Sequence, residues 1–155
     1  MDVAARAATS EDLDVLVALY RLLAAEMAEY HPMWALADAL PEPAGEALAA
    51  GLADPDSLLY VGTIDGIPFG FVFARSEVTA TGGERVGSVR YIFTEPEARE
   101  VGIGEAMLEA VMEALRVRGH RLFDAHVLPG HRAVKNFFEA GGFSARSIVM
   151  HHRDG

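Results

Sequence analysis

The chain has 155 residues, 51% hydrophobic and 23% charged, which matches one soluble domain spanning residues 1–155 and leaves no room for a second. It contains no cysteine, which excludes disulfides, thiolate nucleophiles and Cys-ligated metal sites, and it has no apolar run near the roughly 20 residues of a membrane span, so a cytoplasmic protein is expected. A formal net charge of −10, with no basic stripe interleaved with aromatics, argues against a nucleic-acid binder.

In chain order, residues 2–8 read as a short first strand. Thr9, Ser10, Glu11 and Asp12 then supply a hydroxyl cap and first-turn acids, and Leu13, Leu16, Val17, Tyr20, Leu23, Ala24 and Met27 recur at helical spacing, predicting a helix that ends near Tyr30, His31 and Pro32. Residues 31–43, bracketed by prolines around Trp34, carry no clear pattern, and residues 43–53 are Ala-rich and helical, stopping at Asp54 before Pro55. Residues 58–64 and 67–76 alternate as strands about Asp65-Gly66, a strong hairpin signal, and residues 86–93 form the next strand. A helix running to Arg118 and Gly119 presents Gly104, Leu108, Val111 and Leu115 on one face. A strand at 122–128, a turn at Pro129-Gly130, a short helix at 131–140 and a last strand at 145–152 complete the chain.

Between the strand at 86–93 and its following helix lies Arg99-Glu100-Val101-Gly102-Ile103-Gly104-Glu105. The first turn of a helix has N–H groups without intrahelical partners and the positive end of the macrodipole, and glycines there let an anion approach the backbone. The stretch therefore reads as a phosphate or pyrophosphate cradle with Arg99 at its mouth, or as a tight turn without a ligand. Charge distribution adds to this. Residues 1–80 hold thirteen acids against Arg6, Arg21 and Arg75, whereas from residue 115 onward seven basic residues face only Asp124, Glu139 and Asp154. The C-terminal third can hold a small polyanion and the acidic half can attract a cationic second substrate, unless both are simply solvated surface.

The order of elements resembles the GNAT superfamily of acyl-CoA-dependent N-acetyltransferases. Pro96-x-x-Arg99-x-x-Gly102-x-Gly104 resembles that family's pyrophosphate signature, and Phe137-Phe138-Glu139 followed by Gly142-Phe143 resembles its closing motif. The resemblance implies an α/β (α+β) fold: a mixed, mostly antiparallel central sheet flanked by about four helices, with two strands splayed at the cofactor cleft. It implies acetyl-CoA as the cofactor, its pyrophosphate on the amides of Val101, Gly102, Ile103, Gly104 and Glu105. The pantetheine would pair along Ile92, Phe93 and Thr94, and an amide near Phe93 would polarise the thioester, a role in which one donor contributes roughly 3 kcal/mol. Direct attack by the amine of a small molecule or peptide would follow, with no nucleophilic side chain needed.

The chain departs from the family at named positions. Phe138 stands where the family has a tyrosine that protonates the leaving thiolate, His131 stands where it has an asparagine that donates to the cofactor, and Glu100 and Glu105 flank the turn where many members are basic. No carboxylate occupies the strand at 88–94, and Tyr91 there reads as cleft lining. His126 is the candidate general base or water relay, since imidazole titrates near working pH; a satisfied core histidine is the other possibility. Lys135 is placed to meet the cofactor's 3′-phosphate or is a plain surface cation, and Glu26, Glu29, Tyr30 and His31 fall where the resemblance puts part of the acceptor site. No metal site is expected, since His126, His131, His151 and His152 lack a third ligand at sensible spacing. A bare edge beside the last strand makes a homodimer an expectation. Two other readings are a non-catalytic acyl-CoA-binding module, which binds without turnover, and a Rossmann dinucleotide domain suggested by Gly102-x-Gly104 and Asp124.

Overall fold

The structure is a computed structural model that describes residues 1–30, 38–78, 83–128 and 130–155. Five strands form one sheet in the order β1-β2-β3-β4-β5: β1 Val3–Ala7, β2 Ser57–Ile64, β3 Ile67–Val78, β4 Arg85–Thr94 and β5 Leu122–Ala125. All neighbours are antiparallel except β4 and β5, which run parallel. Helices α1 (Leu13–Tyr30) and α2 (Ala44–Ala53) share one core with Val61, Phe71, Phe73 and Phe93. Helix α3 (Ile103–Val117) and α4 (Arg132–Ala140) share the other with Leu58, Val72, Ala74 and Val89. A mixed sheet with one parallel pair is not the doubly wound parallel sheet of a Rossmann domain, and that reading is withdrawn.

Glycines on three adjacent strands decide where α3 lies. A Cβ on Gly62 would collide with Ile103 and Met107, one on Gly70 with the Phe93 carbonyl and Met107, and one on Gly87 with Leu115. With hydrogen in those places, the apolar stripe of α3 settles directly onto the sheet and buries Ile103, Met107, Val111 and Leu115 almost completely. The start of α3 is thereby fixed above the ends of β2, β3 and β4.

The hairpin forms as expected: Asp65 and Gly66 take φ of 50° and 83°, the positive values a two-residue turn of matching twist requires. Two expectations fail. The strand expected at 122–128 ends at Ala125, because its partner β4 turns away after Val89. The last strand expected at 145–152 does not form. A strand is stabilised by a neighbour's ladder more than by its own propensity, and Ile148, Val149 and Met150 lie exposed without one.

The joint between β1 and α1 is held by Asp12, whose carboxylate accepts from Arg6 Nη1 and Nη2, each at 2.8 Å, and from the Thr9 amide at 2.8 Å. The Arg6 hydrogen bonds, helped by the Thr9 amide, hold the carboxyl at about 2, against an ordinary 3.8. A depressed folded-state value contributes stability that is fully present above the unfolded value and is lost as pH falls through about 2. Asp12→Asn is expected to cost about 2 kcal/mol in urea unfolding at neutral pH, with the gap from wild type closing as acid is added.

Candidate active site

The cleft begins where β4 and β5 part. Their ladder runs from Val86 opposite Leu122 to Val89 opposite Ala125, and its last link is the His126 amide donating to the Val89 carbonyl at 3.1 Å. Arg90 is the extra residue of a bulge: Val89 faces Ala74 and Tyr91 faces Phe73, with nothing opposite Arg90. A bulge reverses which way the following backbone groups point. The Glu95 amide donates to Phe69 on the β3 side at 2.8 Å, so by alternation the Phe93 amide also faces β3, while those of Ile92 and Thr94 face the cleft. The donors near Phe93 are thus its two neighbours. Phe93 itself contributes a buried ring to the α1 side of the core.

At the foot of this cleft is the glycine turn. Glu100 and Gly102 take φ of 68° and 97°, which brings the chain round into α3. Gly102 is the N-cap and offers no side chain to the helix, and the first helical hydrogen bond is from the Ala106 amide to the Gly102 carbonyl at 3.0 Å. The amides of Ile103, Gly104 and Glu105 therefore precede the helical ladder. Glu100, Val101 and Glu105 are all exposed. Gly104 has a second role that spacing could not reveal: a Cβ there would lie 3.1 Å from the Phe137 ring of α4.

Arg99 acts as a brace. Its Nε donates to the Thr94 carbonyl at 2.8 Å, its Nη2 to Glu26 Oε1 at 2.7 Å, and its guanidinium lies over the Phe93 ring at 5.6 Å. This ties the end of α1 to the end of β4. Beside it His131, buried at the start of α4, stacks on Tyr30 with ring centroids 4.7 Å apart. Burial pushes the His131 imidazole below its ordinary value, opposed by Glu26. Lys135 is exposed and pairs with Glu139 on its own helix. Glu29 is exposed, and His31 lies outside the described residues.

The walls of the cleft are Leu23 and Met27 of α1, Arg90 to Ile92 of β4, His126 to Leu128, and His131 and Val134. His126 Nε2 lies 3.0 Å from Ser88 Oγ. Burial, then Arg90, pushes its imidazole below the ordinary value, while Glu77, Asp124 and Asp38 act the other way. It is the neutral ring, able to accept a proton, that this setting favours at neutral pH. Burial pushes the Tyr91 phenol up to about 12, so it stays protonated and donates to the Asp38 carbonyl. Phe138, by contrast, is buried between Phe137 and Phe143. Among the described residues no group of three His, Asp or Glu could hold a metal ion, and no helix is long and apolar enough to cross a membrane.

Sequence reasoning missed the Arg90 bulge, the Arg99–Glu26 pair and the Tyr30–His131 stack. Only the last two had a signal, in charged and aromatic residues at the end of a helix.

Comparison with known proteins places these features. The model of the acetyltransferase (GNAT) family matches residues 16–143. An uncharacterized N-acetyltransferase of Methanocaldococcus jannaschii, MJ1207, is 28% identical over 91 residues, which is 58% of this chain and 40% of that protein, so the match spans well under half of its length. Among solved structures, AAC(6')-Iy in complex with a bisubstrate analogue, CoA-S-monomethyl-acetylneamine, superposes with a TM-score of 0.77 at 19% identity over 100% of this chain and 99% of that one. A putative acetyltransferase from Agrobacterium tumefaciens str. C58 superposes with a TM-score of 0.73 at 23% identity, covering 97% and 99%.

Proposed function

The chain belongs to the acetyltransferase (GNAT) family, and on that premise we propose that it transfers an acetyl group from acetyl-CoA to the amine of a small-molecule or peptide acceptor, within a single domain. The observation that carries the reading is the start of α3. Its leading amides precede the helical ladder, its cap has no side chain, and it opens on a cleft whose β4 edge carries two amides with no strand beside them among the described residues. An elongated ligand with phosphate at one end and amide groups along its length suits both features. The likeness to AAC(6')-Iy supports it, since one structure of that protein holds a CoA bisubstrate analogue and another, which superposes with a TM-score of 0.73 at 19% identity, holds CoA.

In this reading the amides of Val101, Gly102, Ile103, Gly104 and Glu105 bind pyrophosphate, and those of Ile92 and Thr94 hold the pantetheine arm. Acetyl-CoA, when bound, supplies the thioester carbonyl that the acceptor amine attacks. An amide on the β4 edge stabilises the charge that develops on that carbonyl oxygen. His126 takes the proton from the amine, directly or through water, and Ser88 orients its ring. Thiolate departs without an acid from the closing helix, because Phe138 has no hydroxyl. Arg99, Glu26, Tyr30 and His131 join α1 to β4 and α4 and so keep the cleft at its width.

Titration calorimetry with acetyl-CoA, CoA and NAD tests the binding half: saturable heat with both CoA species and none with NAD is expected, and the reverse order would sink the reading. Release of CoA thiol in the presence of amines tests the chemical half. Binding without release on any amine would leave a non-catalytic acyl-CoA-binding module.

The absence of cysteine supports a cytoplasmic location. Among the described residues β5 is the last strand of the sheet, and beside it Arg146 is tied to Asp124 by hydrogen bonds of 2.8 and 2.6 Å before the chain continues to exposed Ile148, Val149 and Met150. An open edge and a β-prone segment on the same chain support a homodimer in which each tail covers the other's edge. Sedimentation velocity of the full chain against a chain ending at Arg146 tests it, with a monomeric full chain counting against it.

A further inference from the structure

A second pocket lies against the α1–α2 face of the sheet, and its chemistry deepens the acetyl-transfer reading, on which it rests. Its charged lining is Asp38, Asp54, Arg75 and Arg90, and Arg90 and Tyr91 line the cofactor cleft as well. The two spaces therefore share one ridge, and the bulge residue forms its crest. Cross-strand register puts Arg75 opposite Ser88, the residue that holds His126. The candidate base and both arginines thus gather around one point of the sheet.

What these groups lack is as informative as what they touch. Asp54 is fully engaged: Oδ1 accepts from the Asp56 amide at 2.9 Å, and Oδ2 meets Ser57 and Arg75. Arg75 uses only Nη1, toward Ser57 Oγ at 3.0 Å and Asp54 at 3.2 Å. Arg90 also uses only Nη1, toward Glu77 at 3.1 Å. Among the described residues each guanidinium keeps Nε and Nη2 without a hydrogen bond, and the Asp38 carboxylate has no hydrogen-bonding or ion-pair partner. Guanidinium forks match carboxylates two donors at a time, and a carboxylate matches an ammonium. The rest of the wall is apolar, with Leu40, Pro41, Ala47, Ala50 and Phe73.

We infer that this pocket takes the acceptor, and that the acceptor is an amino acid with an apolar side chain, its carboxylate held by Arg75 and Arg90 and its amine between Asp38 and His126. A purely cationic acceptor would meet two arginines on entry, and a neutral amine would leave both forks unused. The acceptor enters as an ammonium and gives one proton to His126, which frees the nitrogen lone pair; as the C–N bond forms and the C–S bond breaks, the second proton passes to water and the sulfur leaves as thiolate, so atoms and charge balance.

The test compares matched acceptors with acetyl-CoA: leucine, leucinamide, in which a neutral amide replaces the carboxylate, and 3-methylbutylamine, which lacks the group altogether. Leucine is expected to exceed both by about ten-fold or more in kcat/KM, as loss of a charge-assisted contact implies. Arg75→Gln and Arg90→Gln, made separately, are each expected to raise KM for leucine about ten-fold and to narrow its advantage over the amine. Equal kcat/KM for the three acceptors, or an advantage that survives both substitutions, would overturn the inference. Calorimetry with acetyl-CoA separates the two levels. Heat with acetyl-CoA and no preference for leucine defeats the acceptor assignment alone, whereas no heat defeats the acetyl-transfer reading beneath it.

Discussion

Gly102→Val is expected to weaken CoA binding by about a hundredfold or more while leaving the fold in place. Gly102 sits at φ 97°, a left-handed conformation that a β-branched residue resists. Among the described residues nothing lies within 4 Å of where its Cβ would be, so no neighbour in the core is struck. The helix behind it keeps its seat through Ile103, Met107, Val111 and Leu115, all buried. What changes is the direction of the leading amides. Hydrogen bonds to charged groups contribute about 1.5–3 kcal/mol each, so losing two accounts for a hundredfold. Calorimetry with CoA, run beside thermal unfolding, reads affinity and fold separately, and unchanged affinity with unchanged unfolding would remove the turn from the binding site. Gly104→Val is the less clean experiment, because its side chain would push on the Phe137 ring and disturb the α3–α4 packing along with the ligand.

That contrast shows what a sequence can carry. The pattern Gly102-x-Gly104 after a strand marks a turn with exposed amides, because the requirement is local: a positive φ and the free end of a helix. Both are visible in the residues themselves. The second duty of Gly104 depends on Phe137, thirty-three residues away, and no local pattern encodes such a contact. The same holds for Arg99: its place at the mouth of the turn is legible in the residues, whereas its pairing with Glu26, across 73 residues, is not. Elements with their own signal formed: the Asp65-Gly66 hairpin, the amphipathic α1 and α3, and the short α4 with Phe138 inward. Those that needed a neighbour did not follow the pattern. β5 stops at Ala125 because the bulge at Arg90 turns β4 aside, and the tail at 145–152 has strand composition and no ladder to join. The departure of β5 is what opens the cleft. A one-residue bulge in a strand of ordinary composition leaves no mark in the sequence, so the site could be located there but not shaped.

His126→Gln is expected to lower kcat about a hundredfold, at the lower end of what a positioned acid–base group contributes, and to leave acetyl-CoA affinity nearly unchanged. Its signature is the pH profile. Burial and then Arg90 hold the imidazole below its ordinary 6.5, while Glu77, Asp124 and Asp38 pull it upward. The neutral ring is the active form, so the wild-type rate should rise with pH through a value below 6.5 and be level by neutral pH. Glutamine keeps a group that can bond to Ser88 Oγ and cannot take up the amine's proton. The acid limb set by this group should therefore vanish in the variant, leaving a rate that climbs with deprotonation of the acceptor amine itself. Ser88→Ala, which removes the hydrogen bond that orients the ring, should lower kcat less and keep the limb. A His126→Gln profile that keeps the wild-type limb would show that another group accepts the proton, and that His126 only lines the cleft.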